Sequence, residues 1–401
     1  MEKPEKTSSR GHKSAEPAGG EEEIRGAACR FGPEATRTPQ VRVDAGRLAR
    51  NLEGMQSVCD QAGVQLWPHI KTHKCVEIAR RQLALGAAGL TCAKLSEAEA
   101  MLPSGVKRIF WAHSLATPAA LVRANSLRRQ LDDLVIAVTS LAHAQALVAL
   151  LDAAAGGATG GAGRPWSVAV AVDTGLGREG LRSLEEARAL RALLAGHAAR
   201  VHPVAIYTHE GHAYATPREK LAGLVDRAYA RLLEFREVLG GELPLWPGCS
   251  VSAKAFAGRE HVAVVRPGAY VFGDLYLSEP VGACRRSEVA LVVRATVVDR
   301  PECGLALIDA GTKTFGSDRL TEGAVSVFAR PADGRDLAVT RLSEEHGFVT
   351  GAAVDSLQIG DVIDWIPAHV CPVVNLAREL VIVNNDGSAV RWPVDAGGCN
   401  W

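Results

Sequence analysis

The sequence predicts a (β/α)8 barrel followed by a smaller all-β domain. Short β-rich runs between Gln65 and Arg266 alternate with segments whose apolar residues recur at three and four spacing, the rhythm of βα units around a parallel sheet. About eight such units are present, which is what a (β/α)8 barrel needs. After about Asp274 the rhythm changes to strand-like runs broken by Gly and Asp, with little helix.

The barrel strands are expected at Gln65 to Lys71, Gly89 to Lys94, Arg108 to His113, Asp133 to Ser140, Ser167 to Gly175, Pro203 to Glu210, Pro244 to Ser250 and Val262 to Arg266. Between them, helices are expected at Cys75 to Leu85, Pro118 to Gln130, Leu141 to Ala154, Leu184 to His197 and Pro217 to Leu239. Ala155 to Gly163, rich in Gly and Ala, reads as a flexible loop. The β-domain strands are expected at Val289 to Val298, Leu305 to Asp309, Ala324 to Arg330, Asp361 to Ile366 and Leu380 to Val383, and Gln40 to Asp44 reads as an extra strand contributed to them. This divides the chain into a tail over 1–38, a barrel over 39–276 and a β-domain over 277–401.

Composition narrows the function classes. The 401 residues carry 45 Lys plus Arg against 45 Asp plus Glu, so no global basic field draws in nucleic acid or anionic lipid. The 47% of hydrophobic residues supply an ordinary globular core. Nine cysteines stand singly with no CxxC pair, which fits a reducing compartment rather than a disulfide framework or zinc ribbon. Residues 1–38 lack the apolar core of a signal peptide, and Glu21, Glu22 and Glu23 argue against a transit peptide, so a cytoplasmic chain with a mobile tail is expected. No apolar stretch reaches the length of a membrane span.

Polar residues then converge on the carboxyl ends of the expected strands, where barrel enzymes keep their sites. Lys71 closes the first strand, Arg178 follows the fifth, Tyr207 and His209 end the sixth, Cys249 and Ser250 the seventh, and Arg266 with Gly268 the eighth. A lysine after a buried run is either paired or a desolvated amine fit for Schiff-base chemistry, while a lysine that snorkels to the rim satisfies the same spacing. Gly248-Cys249-Ser250 and Arg266-Pro267-Gly268-Ala269-Tyr270 lie where barrels place a phosphate cradle, and equally where plain turns occur. His369-Val370-Cys371 puts an imidazole and a thiol at i and i+2 of an expected strand, either as two zinc ligands with open positions or as a buried Cys beside a hydrogen-bonded His. Glu344, Glu345 and His346 form a further polar cluster, a base or outer support for a metal, or a solvated loop. His209 and His212 are ambiguous, with His209 better placed.

In order along the chain, WPHIKTHK, VDTGLGREG, YTHEGHAY, RPGAYVFGD, LIDAGTKTFGSDR, LSEEHG and AHVCPVVNL resemble the D-serine dehydratase and D-threonine aldolase family, a fold-type III pyridoxal-phosphate group with a barrel like that of alanine racemase. The resemblance runs from about Val41 to Val383. It implies that Lys71 carries pyridoxal 5'-phosphate, that Arg178 holds the cofactor's phenolate oxygen and that Tyr207 faces its pyridine nitrogen. It implies further that Gly248, Ser250, Gly268 and Ala269, with Arg266 among the cofactor residues, surround the phosphate end, and that His369 and Cys371 are a metal pair for zinc, with manganese as the alternative. Two departures stand out: Trp67 replaces a frequent Arg, and Gly248-Cys249-Ser250-Val251-Ser252 replaces a GST-like phosphate stretch.

The resemblance implies a lyase acting on a small D-3-hydroxy amino acid, as a homodimer. In a dehydratase Lys71 takes the Cα proton and the β-hydroxyl leaves as water, giving a keto acid and ammonia. In an aldolase a base, Lys71, His209 or His212, deprotonates the β-hydroxyl and the Cα–Cβ bond breaks to glycine and an aldehyde. His209, Gly211 and Tyr214 form an HxGxxY pattern closer to the dehydratase branch. A racemase needs a tyrosine base from the β-domain, and all five tyrosines (Tyr207, Tyr214, Tyr229, Tyr270, Tyr276) precede it. A non-catalytic cofactor-holding protein is the more distant alternative.

Overall fold

The apolar runs between the helices pair in parallel, as strands buried on both faces do. In the computed structural model, which describes residues 37–155 and 164–401, six of them form one sheet in chain order: Leu90–Cys92, Arg108–Ser114, Asp133–Val138, Trp166–Ala171, Val201–Tyr207 and Leu245–Trp246. Gln65–Leu66 pairs in parallel with Val264–Val265. Single parallel bridges, His69 to Thr91 and Leu245 to Val262, link that pair to the two end strands of the sheet. The 1–38 tail and the Ala155 to Gly163 loop fall almost wholly outside the described residues.

Helices cover the strands for reasons visible in their ends. Thr117 accepts from Ala120 N at 3.2 Å with Pro118 at the first helical position of Pro118–Arg128. Ser183 caps Leu184–Gly196 in the same way, and Glu185 and Glu186 sit in its positive first turn. Leu221–Leu239 buries Leu224, Val225, Ala228, Leu232, Phe235 and Leu239, one continuous stripe facing the strands. Among the described residues no helix is long and apolar enough to cross a membrane.

A nine-stranded sheet forms the second layer, in the order Leu305–Ile308, Gly347–Thr350, Ala338–Leu342, Ala329–Pro331, Val362–Pro367, Leu291–Glu302, Gln40–Asp44, Glu379–Val383, Ala389–Pro393. The expected extra strand Gln40–Asp44 is there, antiparallel to Leu291–Glu302 and parallel to Glu379–Val383. Asp44 then caps the helix Ala45–Ala62, which leads into the first parallel strand. Trp365, fully buried, packs in a core with Val43, Val293, Ile363 and Phe315, and Cys75, Ile78 and Phe272 from the parallel-sheet half join the same core.

Several elements differ from expectation. Gln65 to Lys71 is a strand only at Gln65–Leu66, and Lys71 lies instead in a 3-10 turn, Ile70–Thr72. Pro68, Pro247 and Pro267 follow the three shortest strands closely, and each lacks one N–H that a regular strand would contribute. Ala324 to Arg330 divides into Val325–Val327 and Ala329–Pro331, which belong to different sheets. The expected strand carrying His369 and Cys371 is the helix Val370–Leu376, with His369 at its N-cap and Pro372 in its first turn.

Trp365→Ala is expected to destabilise the protein by about 3–5 kcal/mol through the lost burial and the cavity left behind. Val122→Ala, at a position 70% exposed, is expected to stay within about 0.5 kcal/mol. Urea unfolding of the two variants checks this, and equal midpoints would contradict the packing described.

Candidate active site

The turn that carries Lys71 is fixed before its side chain is considered. Trp67 N donates to Val265 O at 3.0 Å and His69 N to Pro267 O at 2.9 Å, so the chain stays paired to the last parallel strand up to the turn. His69 Nδ1 then accepts from Lys71 N at 3.3 Å. Among the described residues the Lys71 amine makes no ion pair, whereas Lys74 is buried with its Nζ 3.1 Å from Glu97 Oε1. Of the two lysines in the segment, Lys71 has the available amine, and its charge acts on His69, His209 and Cys371.

Beside it lies a buried polar floor. Arg266, 4% exposed, donates from Nε to Trp246 O at 3.2 Å and also to Thr208 O. Its guanidinium stands 5.2 Å from the ring centroids of both Tyr207 and Phe110. Burial lowers its pKa to about 10, with Glu210 opposing, so it stays charged at neutral pH. Tyr207 Oη is buried with no hydrogen-bond partner, and burial raises its pKa. His209 Nδ1 donates to Gly248 O at 2.7 Å, which leaves Nε2 as an acceptor. Burial and the Lys71 charge push His209 down to about 3, so it is a neutral imidazole. Arg178 is largely exposed and pairs with Glu179 at 3.1 Å, yet it lines the same small cavity as Tyr207 and His209. Asp173 shapes that loop by accepting from Gly175 N, Gly177 N and Arg182 Nε at 3.0–3.1 Å. His212 has its Nε2 3.1 Å from where a Cβ on Gly175 would lie and its Nδ1 unpartnered.

The glycines make close approaches that no other residue permits. A Cβ on Gly248 would lie 2.8 Å from Arg266 Cβ, and one on Gly268 would lie 2.8 Å from Thr72 Oγ1 and 3.0 Å from His69 O. Ser250 Oγ accepts from Gly268 N and Tyr270 N, both at 3.1 Å, and draws the two turns together, with Ala269 opening the short helix Ala269–Val271. Both departures have structural roles. Trp67 packs on Trp246 with ring centroids 5.1 Å apart. Cys249 is a buried thiol beside Ser252 Oγ at 3.2 Å, pushed up to about 11 by burial. An available amine, an unpartnered phenol beside a buried guanidinium, and turns too tight for any Cβ fit a phosphorylated aromatic aldehyde cofactor.

His369 and Cys371 meet this floor from the other layer. Cys371 Sγ lies 3.3 Å from Thr72 Oγ1, next to Lys71 in sequence, and its side chain also bonds His369. Burial opposes charge on both, but the thiolate and the Asp318 carboxylate raise the imidazole to about 11, and the imidazolium holds the thiol below its ordinary value. His369 Nδ1 donates to Asp318 Oδ2 at 2.6 Å. A thiolate and an imidazole oriented by a carboxylate suit zinc as donors, although among the described residues no cluster of three or more His, Cys, Asp or Glu forms a complete ligand set. The carboxylate that supports His369 is therefore Asp318, which sequence reasoning did not single out although it sits in the quoted FGSDR segment. Glu344 and Glu345 face solvent and pair with Lys313 at 2.9 and 2.7 Å, and His346 lies in the same exposed loop.

Burial also depresses His73, to about 4. A histidine whose pKa is lower folded than unfolded takes up a proton on unfolding between the two values. Stability is thus fully present above about 6.5 and falls as pH drops toward 4, by at most about 1.4 kcal/mol per pH unit for each such histidine. The urea midpoint is expected to fall between about pH 7 and about pH 4.5, and His73→Gln to flatten that dependence. Identical slopes in the two proteins would refute the assignment.

The family described as alanine racemase, N-terminal domain, matches residues 43–276, and the putative serine dehydratase domain matches residues 290–383. The chain is 32% identical to the D-threo-3-hydroxyaspartate dehydratase of Delftia sp. (strain HT23), with 88% of this chain and 96% of that protein covered. It is 30% identical to the D-threonine aldolase of Arthrobacter sp, covering 90% and 93%. The crystal structure of D-threonine aldolase from Filomicrobium marinum superposes with a TM-score of 0.80 at 26% identity, over 91% of this chain and 97% of that one. A solved D-threo-3-hydroxyaspartate dehydratase with one cysteine replaced by alanine is described as metal-free, at TM-score 0.77, 29% identity and 89% and 97% coverage, and a companion structure replaces the histidine two positions earlier. With these matches the chain belongs to the D-serine dehydratase and D-threonine aldolase family of fold-type III pyridoxal-phosphate proteins.

Proposed function

We propose that the chain is a pyridoxal-phosphate- and metal-dependent lyase acting on D-3-hydroxy amino acids, with water elimination to a keto acid and ammonia as its reaction. The observation that carries the reading is the 3.3 Å approach of Thr72 and Cys371, which sets an available lysine beside a thiolate–imidazole pair. The names of the Delftia, Arthrobacter and Dictyostelium discoideum relatives support the substrate class. We read the eight parallel strands as a closed barrel over 39–276, with the two single bridges as its seams, followed by a β-domain over 277–401 and preceded by a separate tail over 1–38. The working form is taken to be a homodimer.

Pyridoxal phosphate, when bound, supplies an electron sink for the substrate's Cα. A divalent metal held by His369 and Cys371, zinc or manganese, supplies a Lewis acid with open positions, and the cysteine-to-alanine relative described as metal-free has the same two-residue spacing of histidine and cysteine. The chain's own residues do the rest. Lys71 anchors the cofactor and then its amine takes the Cα proton. Tyr207 and the Arg266 guanidinium hold the ring end, Arg178 the phenolate side, and Gly248, Ser250, Gly268 and Ala269 the phosphate. His209, neutral and tied to Gly248 O, offers Nε2 as a proton acceptor on the cavity side. Elimination removes one hydrogen from Cα and the hydroxyl from Cβ as water, and the resulting enamine hydrolyses to the keto acid and ammonia. The rival reading, cleavage of Cα–Cβ to glycine and an aldehyde with Lys71, His209 or His212 as base, is favoured by the 30% identity to an aldolase.

Product analysis of protein loaded with zinc and cofactor, incubated separately with D-serine, D-threonine and D-3-hydroxyaspartate, decides between them. Keto acid plus ammonia is the expected result; glycine plus aldehyde would replace it with the aldolase reading, and no turnover of any of the three would overturn both. Lys71→Ala is expected to abolish the visible absorbance of lysine-bound cofactor, and retained absorbance would identify a different lysine. His369→Ala with Cys371→Ala is expected to keep the cofactor while turnover falls at least about a hundredfold. Full activity in metal-free protein would remove the metal from the account.

A further inference from the structure

Residues 394–401 run from the end of the nine-stranded sheet to the segment that follows the Lys71 turn, and the chemistry above does not use them. Asp395 Oδ2 accepts from Val76 N at 2.7 Å, at the first residue of the helix Val76–Leu85. Ala396 and Lys74 are tied twice, Ala396 N donating to Lys74 O at 2.9 Å and Lys74 Nζ to Ala396 O at 3.3 Å. Gly398 N donates to Asn375 Oδ1 at 3.2 Å, on the helix that carries Cys371. Farther on, Trp401 O accepts from Ser96 N at 3.2 Å, in the short helix Leu95–Met101. One strap therefore ties the residues that follow the Lys71 turn, where Lys74 N donates to Ile70 O at 2.8 Å, to the Cys371 helix.

Lys74 is where these ties converge. Its φ of 49° lies in the left-handed region, which a side chain with a Cβ resists. The conformation turns its amine inward onto Glu97, with side-chain exposures of 5% and 2%, and Glu97 Oε2 accepts in turn from Ala93 N at 2.7 Å and Lys94 N at 3.2 Å. A buried ion pair is weak evidence of stabilisation, because desolvation consumes most of the Coulomb gain, and its best-attested use is to fix registry. A displacement of about 1 Å in a reacting group costs on the order of a hundredfold in rate.

We propose that the Lys74–Glu97 pair and the strap through Asp395 and Ala396 are a positioning device that sets the Lys71 amine against the His369–Cys371 pair. Lys74 is thus a positioning residue and not a second cofactor lysine. The proposal rests on the lyase reading for its consequence in turnover, and its structural half is tested separately.

The test uses the full chain loaded with pyridoxal phosphate and zinc, in two variants: Asp395→Ala, which touches no charge in the barrel, and Lys74→Met with Glu97→Gln, which removes both buried charges together. With far-UV circular dichroism unchanged, both are expected to form the visible cofactor band, to lose it to hydroxylamine at least about tenfold faster than the parent, and to show kcat reduced about ten- to a hundredfold with KM within about threefold. A parent-like rate of cofactor loss in both variants overturns the proposal. So does a fall in activity that disappears when normalised to bound cofactor, or one carried by KM alone. If the parent protein turns over no hydroxy amino acid, the lyase reading fails, and the hydroxylamine rates still decide whether the strap positions Lys71.

Discussion

The candidate site depends on one contact between distant parts of the chain, the Ile70–Thr72 turn lodged against the start of the Val370–Leu376 helix, with Thr72 Oγ1 3.3 Å from Cys371 Sγ. The other side of the turn presses on Gly268, where a Cβ would come within 2.8 Å of the same Thr72 oxygen. The turn is therefore confined from both sides, and Lys71 projects from a backbone with little freedom to move. That confinement also explains the length of the first strand. Backbone pairing runs on through His69 N, and His69 Nδ1 then accepts from Lys71 N, where the 3-10 turn replaces further strand.

Two imidazoles at this junction show how surroundings rather than residue type set charge. His209 is half-buried, bonds a carbonyl and faces the cations Lys71, Arg266 and Arg178, so it is neutral. His369 is half-buried too, but it faces a thiolate and the carboxylates of Asp318 and Asp274, which favour its protonated form. The first is suited to accept a proton. The second is suited to exchange its proton for a divalent cation, with Asp318 fixing the ring's orientation.

Much of this was legible in the sequence. The alternation of apolar runs and helical stripes located the parallel strands in order, and the shift in rhythm after Asp274 marked the second layer, including the strand at Gln40–Asp44 inserted from the far end of the chain. The ends of elements were less legible, because regular strand stops just before Pro68, Pro247 and Pro267 within runs that are still apolar. The helix at His369 was misread since Val370, Val373 and Val374 carry strand propensity, while Pro372 at a first-turn position was the available signal for a helix start. The strands Ala338–Leu342, Gly347–Thr350 and Ala389–Pro393 were not anticipated. Lys71, Tyr207, Arg266, Gly268, His369 and Cys371, the residues proposed for the site, were marked by strand ends or ligand chemistry. Asp318, Lys74 and Glu97 were not, because their roles exist only in contacts across the fold, such as the 51 residues between Asp318 and His369.

The claim at the centre of the account is that Lys71, and not the buried Lys74, bears the cofactor. Borohydride reduction of protein loaded with pyridoxal phosphate, followed by peptide mapping by mass spectrometry, tests it most directly. A phosphopyridoxyl group on Lys71 alone is expected. Label on Lys74, on another lysine or on none would contradict it.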